Sequence, residues 1–236
     1  MADRLTVKIF ADGADLDEIL SLADDPRIAG FTTNPTLMWK AGLTDYREFA
    51  ERVLEKITSK PVSLEVFGDD VDEMRRQAKL IAGWGENVYV KIPVSTTSGE
   101  SMAPLVRELS EGGIKVNVTA LFTPAQVESI IEAVKDGAPS YLAMFAGRIA
   151  DAGVEPLPII QRALDIVAKA PLAELMWASP REILNVVQAD RAGCQIITLT
   201  RELLEKLPML GKDLDQYSLE TVQMFHRDAT AAGFTL

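Results

Sequence analysis

Asn87-Val88-Tyr89-Val90-Lys91-Ile92-Pro93 decides how the rest of this 236-residue chain is read. Val88, Val90 and Ile92 alternate with Tyr89 and Lys91, the two-residue period of a β-strand with unlike faces. Pro93 has no N–H for a ladder, so the strand is expected to stop there. Lys91 then stands at the carboxyl end of a strand, on the face opposite three branched apolar residues. Taking an ammonium out of water disfavours its charged form, and an uncharged lysine can attack a carbonyl to form a Schiff base. The plainer reading is a solvated lysine closing an edge strand.

Outward from this strand the same unit recurs. Further strands are expected over 7–12, 30–35, 61–66, 115–121, 141–147, 174–179 and 194–200. Helices are expected between them, over 15–23, 46–57, from a cap at Asp69 to 82, and over 101–111. Thr123-Pro124-Ala125-Gln126 opens another with a threonine cap, proline at the first helical position and glutamine to close a capping box. A helix over 157–169 follows, and Ser179-Pro180-Arg181-Glu182 repeats the cap-proline-acid pattern to open one reaching 192. Helix resumes at Arg201, and 217–232 makes the last. Strands alternating with helices imply a parallel sheet. Eight such units in this length fit a closed (β/α)8 TIM barrel, one domain over 1–236 with 215–236 as a C-terminal helical extension. The runner-up is an open doubly wound sheet, for which neither G-x-G-x-x-G nor G-x-x-x-x-G-K-[ST] is present.

Composition narrows the partners. Apolar residues make up 47% of the chain, enough for a sizeable core, and no apolar run reaches membrane-spanning length. A net charge of -11 argues against a nucleic-acid surface and an anionic membrane patch. A local basic pocket can still hold a phosphorylated small molecule. One cysteine, Cys194, excludes an intrachain disulfide and suits a reducing compartment. No basic region followed by an apolar run opens the chain, so the expected address is the cytoplasm. His226 is the lone histidine, and no spacing of convergent ligands suggests a metal. Neither a metal nor an organic cofactor is expected.

Parity then sorts the polar residues. Val62, Leu64 and Val66 share one face of their strand, Ser63 and Glu65 the other. Val116, Val118 and Ala120 oppose Asn117, Thr119 and Leu121; Val7, Ile9 and Ala11 oppose Lys8, Phe10 and Asp12. With the apolar faces against the helices, Asp12, Asn34, Glu65, Lys91, Asn117 and Thr119 converge near the carboxyl end of the barrel, where active sites of this fold lie. Any one of them alone reads as a paired polar group in the core. Six on matching parity read as a site.

At these residues the chain resembles the transaldolase family, in the short-chain branch that also contains fructose 6-phosphate aldolase. The resemblance is carried by Phe10-Ala11-Asp12, Thr32-Thr33-Asn34-Pro35, Val90-Lys91-Ile92-Pro93, Asn117-Val118-Thr119-Ala120-Leu121-Phe122, Phe145-Ala146-Gly147-Arg148-Ile149 and Ala178-Ser179-Pro180-Arg181, in that order, nearly end to end. It implies a (β/α)8 barrel working through a Schiff base on Lys91. It further implies that Glu65 moves protons through a water held by Thr119, and that Asp12 is the acid–base partner of the substrate hydroxyl. Thr33, Asn34 and Asn117 fall among its substrate-binding positions, and Arg148, Ser179 and Arg181 match its phosphate site. The implied substrates are sugar phosphates, pentose phosphates among them. The implied assembly is a homo-oligomer, a pentamer or decamer, with the C-terminal helix on a neighbour; Met224 and Phe225 suit that contact and equally suit packing within one subunit.

Four residues depart from parts of the family. Ala143-Met144 stand where longer transaldolases often have Ser-Pro. Phe145 resembles the transaldolases, whereas the aldolase branch has tyrosine there. A phenyl ring cannot protonate a bound three-carbon unit, which favours transfer over simple cleavage. Trp177, beside the phosphate motif, either narrows the pocket or packs against a helix. The leading expectation is therefore a transferase moving a dihydroxyacetone unit between sugar phosphates. The alternatives are a lyase that cleaves or forms fructose 6-phosphate and a non-catalytic sugar-phosphate-binding protein.

Overall fold

Eight parallel strands close on themselves in the computed structural model, which describes residues 5–234. In chain order the elements are β1 (Lys8–Asp12), α1 (Leu16–Leu22), β2 (Ile28–Thr32), α2 (Pro35–Lys40), α3 (Tyr46–Lys56), β3 (Val62–Glu65) and α4 (Val71–Ala82). Then come β4 (Val88–Pro93), α5 (Ala103–Glu111), β5 (Val116–Leu121), α6 (Pro124–Val134), β6 (Ser140–Met144), α7 (Ala146–Asp151) and α8 (Pro156–Val167). The chain finishes with β7 (Ala173–Trp177), α9 (Leu184–Ala192), β8 (Ile196–Thr200), α10 (Arg201–Lys206) and α11 (Leu214–Ala231). Each strand pairs with the next and β8 pairs with β1, so the molecule is a (β/α)8 TIM barrel with a C-terminal helix, not the open sheet. Thr235 and Leu236, within the expected extension, lie outside the described residues, as do residues 1–4. Among the described residues no helix is long and apolar enough to cross a membrane.

Parity divides the core into two layers. Val62, Leu64, Val88, Val90, Ile92, Val116 and Val118 point outward and are buried against the helices. Phe10, Tyr141, Ala143, Met176, Ala178 and Ile196 form a separate cluster inside the ring. Within it Tyr141 stacks on Tyr89 at 4.0 Å between centroids and meets the edge of Phe10 at 5.6 Å. Below them Lys8 Nζ pairs with Glu174 at 2.5 Å. The amino end of the barrel is thus plugged by aromatic rings and an ion pair, and polar residues are left for the carboxyl end. Trp177 belongs to the outer layer and is fully buried, so of its two readings packing against helices is the one observed.

Local signals placed most helix starts. Asp15, Asp45, Asp70 and Asp213 each accept the backbone N–H three residues on, and Thr123 with Gln126 makes the complete capping box. The cap of α4 is Asp70 rather than Asp69, whose Oδ1 instead accepts from the Thr97 backbone N–H at 2.8 Å. The expected strand over 30–35 stops at Thr32, because Asn34 caps α2 and Pro35 is its first residue. The expected strand over 141–147 stops at Met144: Phe145 N donates to Leu121 O at 2.8 Å, and the chain then turns into α7.

Two further expectations fail at the same end of the barrel. Ser179 does not cap a helix; it sits at φ 59, and α9 begins only at Leu184. Asn185 Oδ1 takes up the backbone N–H groups of Arg181 and Glu182 instead, at 2.8 and 3.2 Å. In β5 the ladder to β6 slips between Val118 and Leu121, with Ala120 at φ 61. This bulge adds one residue and reverses the alternation, so Ala120 turns into the barrel mouth and Leu121 into the outer core.

The interior is tight where β1 and β2 meet. A Cβ on Gly30 would lie 2.5 Å from the Phe10 ring, which cannot retreat because Tyr141 holds its edge. Gly30→Ala is expected to cost about 1–3 kcal/mol of unfolding free energy by overpacking, measured by urea denaturation. An unchanged midpoint would show that the ring has room to move.

Candidate active site

At the carboxyl ends of the strands the barrel opens into a cavity of about 510 Å³. Asp12, Asn34, Glu65, Lys91, Asn117 and Thr119 all line it. Lys91 comes from β4 with 6% of its surface exposed. Its Nζ donates to the Thr33 carbonyl at 2.8 Å and lies 3.0 Å from Glu65 Oε2. Strand register explains the pairing, because Glu65 stands directly opposite Lys91 in the β3–β4 ladder. The next rung places Asn117 beside Lys91, and Thr119 beside Pro93.

Asp12 completes the floor of the cavity. The Thr32 hydroxyl donates to its Oδ1 at 2.8 Å and stands 2.6 Å from the Thr198 hydroxyl. Burial pushes the Asp12 carboxyl above the ordinary aspartate value, against the Lys91 charge and the Thr32 and Asn34 donors, which pull it down. Asn117 Nδ2 donates to Ser63 Oγ at 2.9 Å. Its Oδ1 and Thr119 Oγ1 are buried with no hydrogen-bond partner among the described residues, and Glu65 Oε2 is buried with the Lys91 ammonium 3.0 Å away as its one close polar neighbour among them. Buried polar atoms are nearly always bonded, so two unbonded ones beside one ion pair form a set able to hold a polar ligand.

Thr33 is placed differently from its neighbours. It is fully buried, and its hydroxyl donates to the Ser63 carbonyl at 3.1 Å. Its link to the site is the carbonyl that receives Lys91. Behind Glu65 lies the Tyr46 ring, packed edge-on against Phe67 and Trp84, with burial pushing its phenol well above the ordinary range.

Phe145, Arg148, Ser179 and Arg181 line the opposite rim. The Arg148 guanidinium stacks over the Phe145 ring at 5.0 Å. Arg181 donates to Ser179 Oγ at 3.0 Å and is also paired with Asp151, from the end of α7. Ala120 and Ser179 are the non-glycine residues with positive φ among those described, and both line the cavity. Such backbone costs about 1–3 kcal/mol each and is kept where the surroundings impose it.

Sequence reasoning passed over several lining residues. Thr198 shares strand parity with Ile196, and the alternation in β8 would have found it. Lys40 reaches the rim only because α2 exists, and Asn34-Pro35 read as cap and first helical residue would have found it. Asp151, which lies outside the lining and reaches the site only through Arg181, had no local signal. Among the described residues, no group of His, Cys, Asp and Glu is arranged to hold a metal ion.

A buried lysine against a glutamate, with a second carboxylate and two amides in the mouth of a (β/α)8 barrel, is an arrangement chemically able to act on a carbonyl. Solved structures match at the level of fold: a putative dihydrodipicolinate synthase family protein from Coccidioides immitis has a TM-score of 0.61 at 9% identity, over 100% of this chain and 81% of that one. A putative phosphonomutase from Burkholderia cenocepacia has a TM-score of 0.58 at 14% identity, over 96% of each chain. The family model for Transaldolase/Fructose-6-phosphate aldolase matches residues 9–236, and the chain belongs to that family. A probable transaldolase 2 from Listeria monocytogenes is 35% identical over 217 residues, 89% of this chain and 94% of that one. A probable transaldolase from Nitrosopumilus maritimus is 35% identical over 216 residues, 91% and 92% of the two chains.

The Asp12 environment can be tested directly. Its carboxyl carbon, followed by NMR, is expected to titrate above 3.8, and further up in Thr32→Val, because that hydroxyl stabilises the charged form. A midpoint at or below 3.8 in the parent would contradict the burial argument.

Proposed function

We propose that this enzyme is a Schiff-base transaldolase, moving a dihydroxyacetone unit from a ketose phosphate to an aldose phosphate. The observation that carries the reading is the Lys91 Nζ, buried and 3.0 Å from Glu65 Oε2, in a cavity that also holds Asp12. Glu65 takes a proton from the ammonium, and the free amine adds to the C2 carbonyl of the ketose. Glu65 then returns a proton to the departing oxygen, so water leaves and a cationic imine remains. Thr119, whose hydroxyl has no partner among the described residues, orients the water that relays these protons.

Asp12 next removes the proton from the C4 hydroxyl. The C3–C4 bond breaks, its electron pair enters the imine to give an enamine, and an aldose phosphate departs. Asp12 is suited to this step because its raised affinity for protons lets it hold the one it takes. An incoming aldose reverses the sequence. Asn34 and Asn117 present amides to the hydroxyls of the three-carbon unit, and Thr33 holds Lys91 through its carbonyl. Arg148, Ser179 and Arg181 bind the phosphate. Phe145 offers no hydroxyl to protonate the enamine, which supports transfer over release. A cytoplasmic setting accompanies this reading, consistent with a buried free Cys194.

The proposed assembly is a homo-oligomer built through α11. That helix buries none of its residues; Phe225 is 62% and Met224 40% exposed, and Leu219 and Val222 are also exposed, which supports a contact beyond the subunit. Sedimentation is expected to show one defined oligomer that Phe225→Glu dissociates; a monomeric parent would refute it.

Borohydride reduction in the presence of fructose 6-phosphate is expected to fix a three- or six-carbon adduct on the Lys91 peptide. Lys91→Ala is expected to fold normally, trap nothing and lose turnover by about 10⁴-fold or more. Retained turnover would eliminate an imine at this residue. Free dihydroxyacetone is expected to accumulate slowly without an aldose acceptor; release at full rate would make the enzyme a lyase, and no adduct with any ketose would leave a non-catalytic binder.

A further inference from the structure

The rim opposite Lys91 contains a carboxylate that the proposed mechanism does not use. We propose that Asp151 is a positioning residue, gripping one edge of the Arg181 guanidinium so that its other edge and the Ser179 hydroxyl face the cavity as one arm of a phosphate cradle. The inference deepens the proposed function and rests on its assignment of a phosphorylated sugar.

The geometry is specific. Arg181 Nε donates to both oxygens of Asp151, at 2.9 and 3.1 Å, and Nη2 donates to Oδ2. Nη1 turns the other way and donates to Ser179 Oγ at 3.0 Å. A guanidinium is planar with its N–H groups in a fixed fork, so fixing the Nε–Nη2 edge fixes where the Nη1 edge points. Arg181, Ser179 and Arg148 line the cavity, and Asp151 does not. The carboxylate therefore holds the cation from behind rather than meeting the incoming anion.

The backbone beneath is locked as well. A Cβ on Gly147 would fall 1.5 Å from the Ser179 carbonyl oxygen, so only glycine permits this contact between α7 and the loop after β7. Ser179 meets it in left-handed backbone, a conformation a residue with a Cβ rarely adopts. Helix α7 and the loop after β7 are thus joined by the main chain below and the Asp151–Arg181 pair above. The pair lowers the Asp151 pKa through its hydrogen bonds to Arg181. The grip is therefore complete above the ordinary aspartate range and is released only as pH falls through the depressed value. Its side chains are 53% and 45% exposed, a setting in which an ion pair adds little to folding. Orientation is what remains for it to supply.

Inorganic phosphate, titrated calorimetrically into the full chain, provides a readout independent of carbonyl chemistry. Asp151→Ala is expected to weaken phosphate about tenfold, the scale of one charge-assisted hydrogen bond, and to add nothing in an Arg181→Ala background. KM for fructose 6-phosphate is expected to rise by a similar factor, with KM for unphosphorylated fructose unmoved. Phosphate affinity unchanged or tighter in Asp151→Ala, or no phosphate binding by the parent, overturns the proposal. Borohydride trapping at Lys91 run alongside separates the two readings. Trapping intact with unaltered phosphate affinity removes the clamp alone, whereas no trapping with the expected affinity loss removes the Schiff-base function and leaves the clamp.

Discussion

An ammonium and a carboxylate facing each other inside a ring of strands is the constraint around which this molecule is built. Removing either charge from water costs several kcal/mol, and in a low-dielectric interior neither is tolerated without the other. Lys91 and Glu65 meet that condition because the β3–β4 register sets them on one rung. Moving either strand by one residue would send one charge into the layer of valines and isoleucines under the helices. In the mechanism proposed above, the same pairing keeps a nucleophile and a proton carrier together before any substrate arrives.

Closure of the barrel distributes the rest. With no free sheet edge, every strand has one face toward the helices and one toward the axis, and the axis has room for few side chains. Large rings fill its amino half: Phe10, Tyr89 and Tyr141. Small and polar residues fill its carboxyl half, where Ala143, Thr198 and Asn117 leave the cavity open. Asp12 is half-buried beside that opening, and the upward push on its carboxyl follows from the same exclusion of water.

The alternation of strands and helices was legible because valine- and isoleucine-rich runs and capped helix starts carry it locally. The inward set was legible for the same reason: parity on β1, β3, β4 and β5 assigns Asp12, Glu65, Lys91, Asn117 and Thr119 without any knowledge of topology. What escaped lies where strands end and the chain bends. Asn34-Pro35 resembled a strand terminus and begins a helix; Ser179-Pro180 resembled a helix cap and is a strained turn; the β5 bulge reversed Ala120 and Leu121. The first is a local signal, an asparagine cap before proline, while the turn at Ser179 and the β5 bulge go with contacts distant in sequence, to Gly147 and to β6. Asp151 escaped for the same reason, since its partner lies thirty positions away.

The contact between Gly147 and the Ser179 carbonyl has a consequence for how such a barrel can be altered. Loops at a barrel mouth are usually regarded as interchangeable parts on a constant frame. Here the segments following β6 and β7 interlock at the main chain, so a graft replacing one would collide with whatever remains of the other. They form one cassette, inherited or exchanged together, and diversification of this rim would have to proceed through paired replacements rather than single-loop swaps.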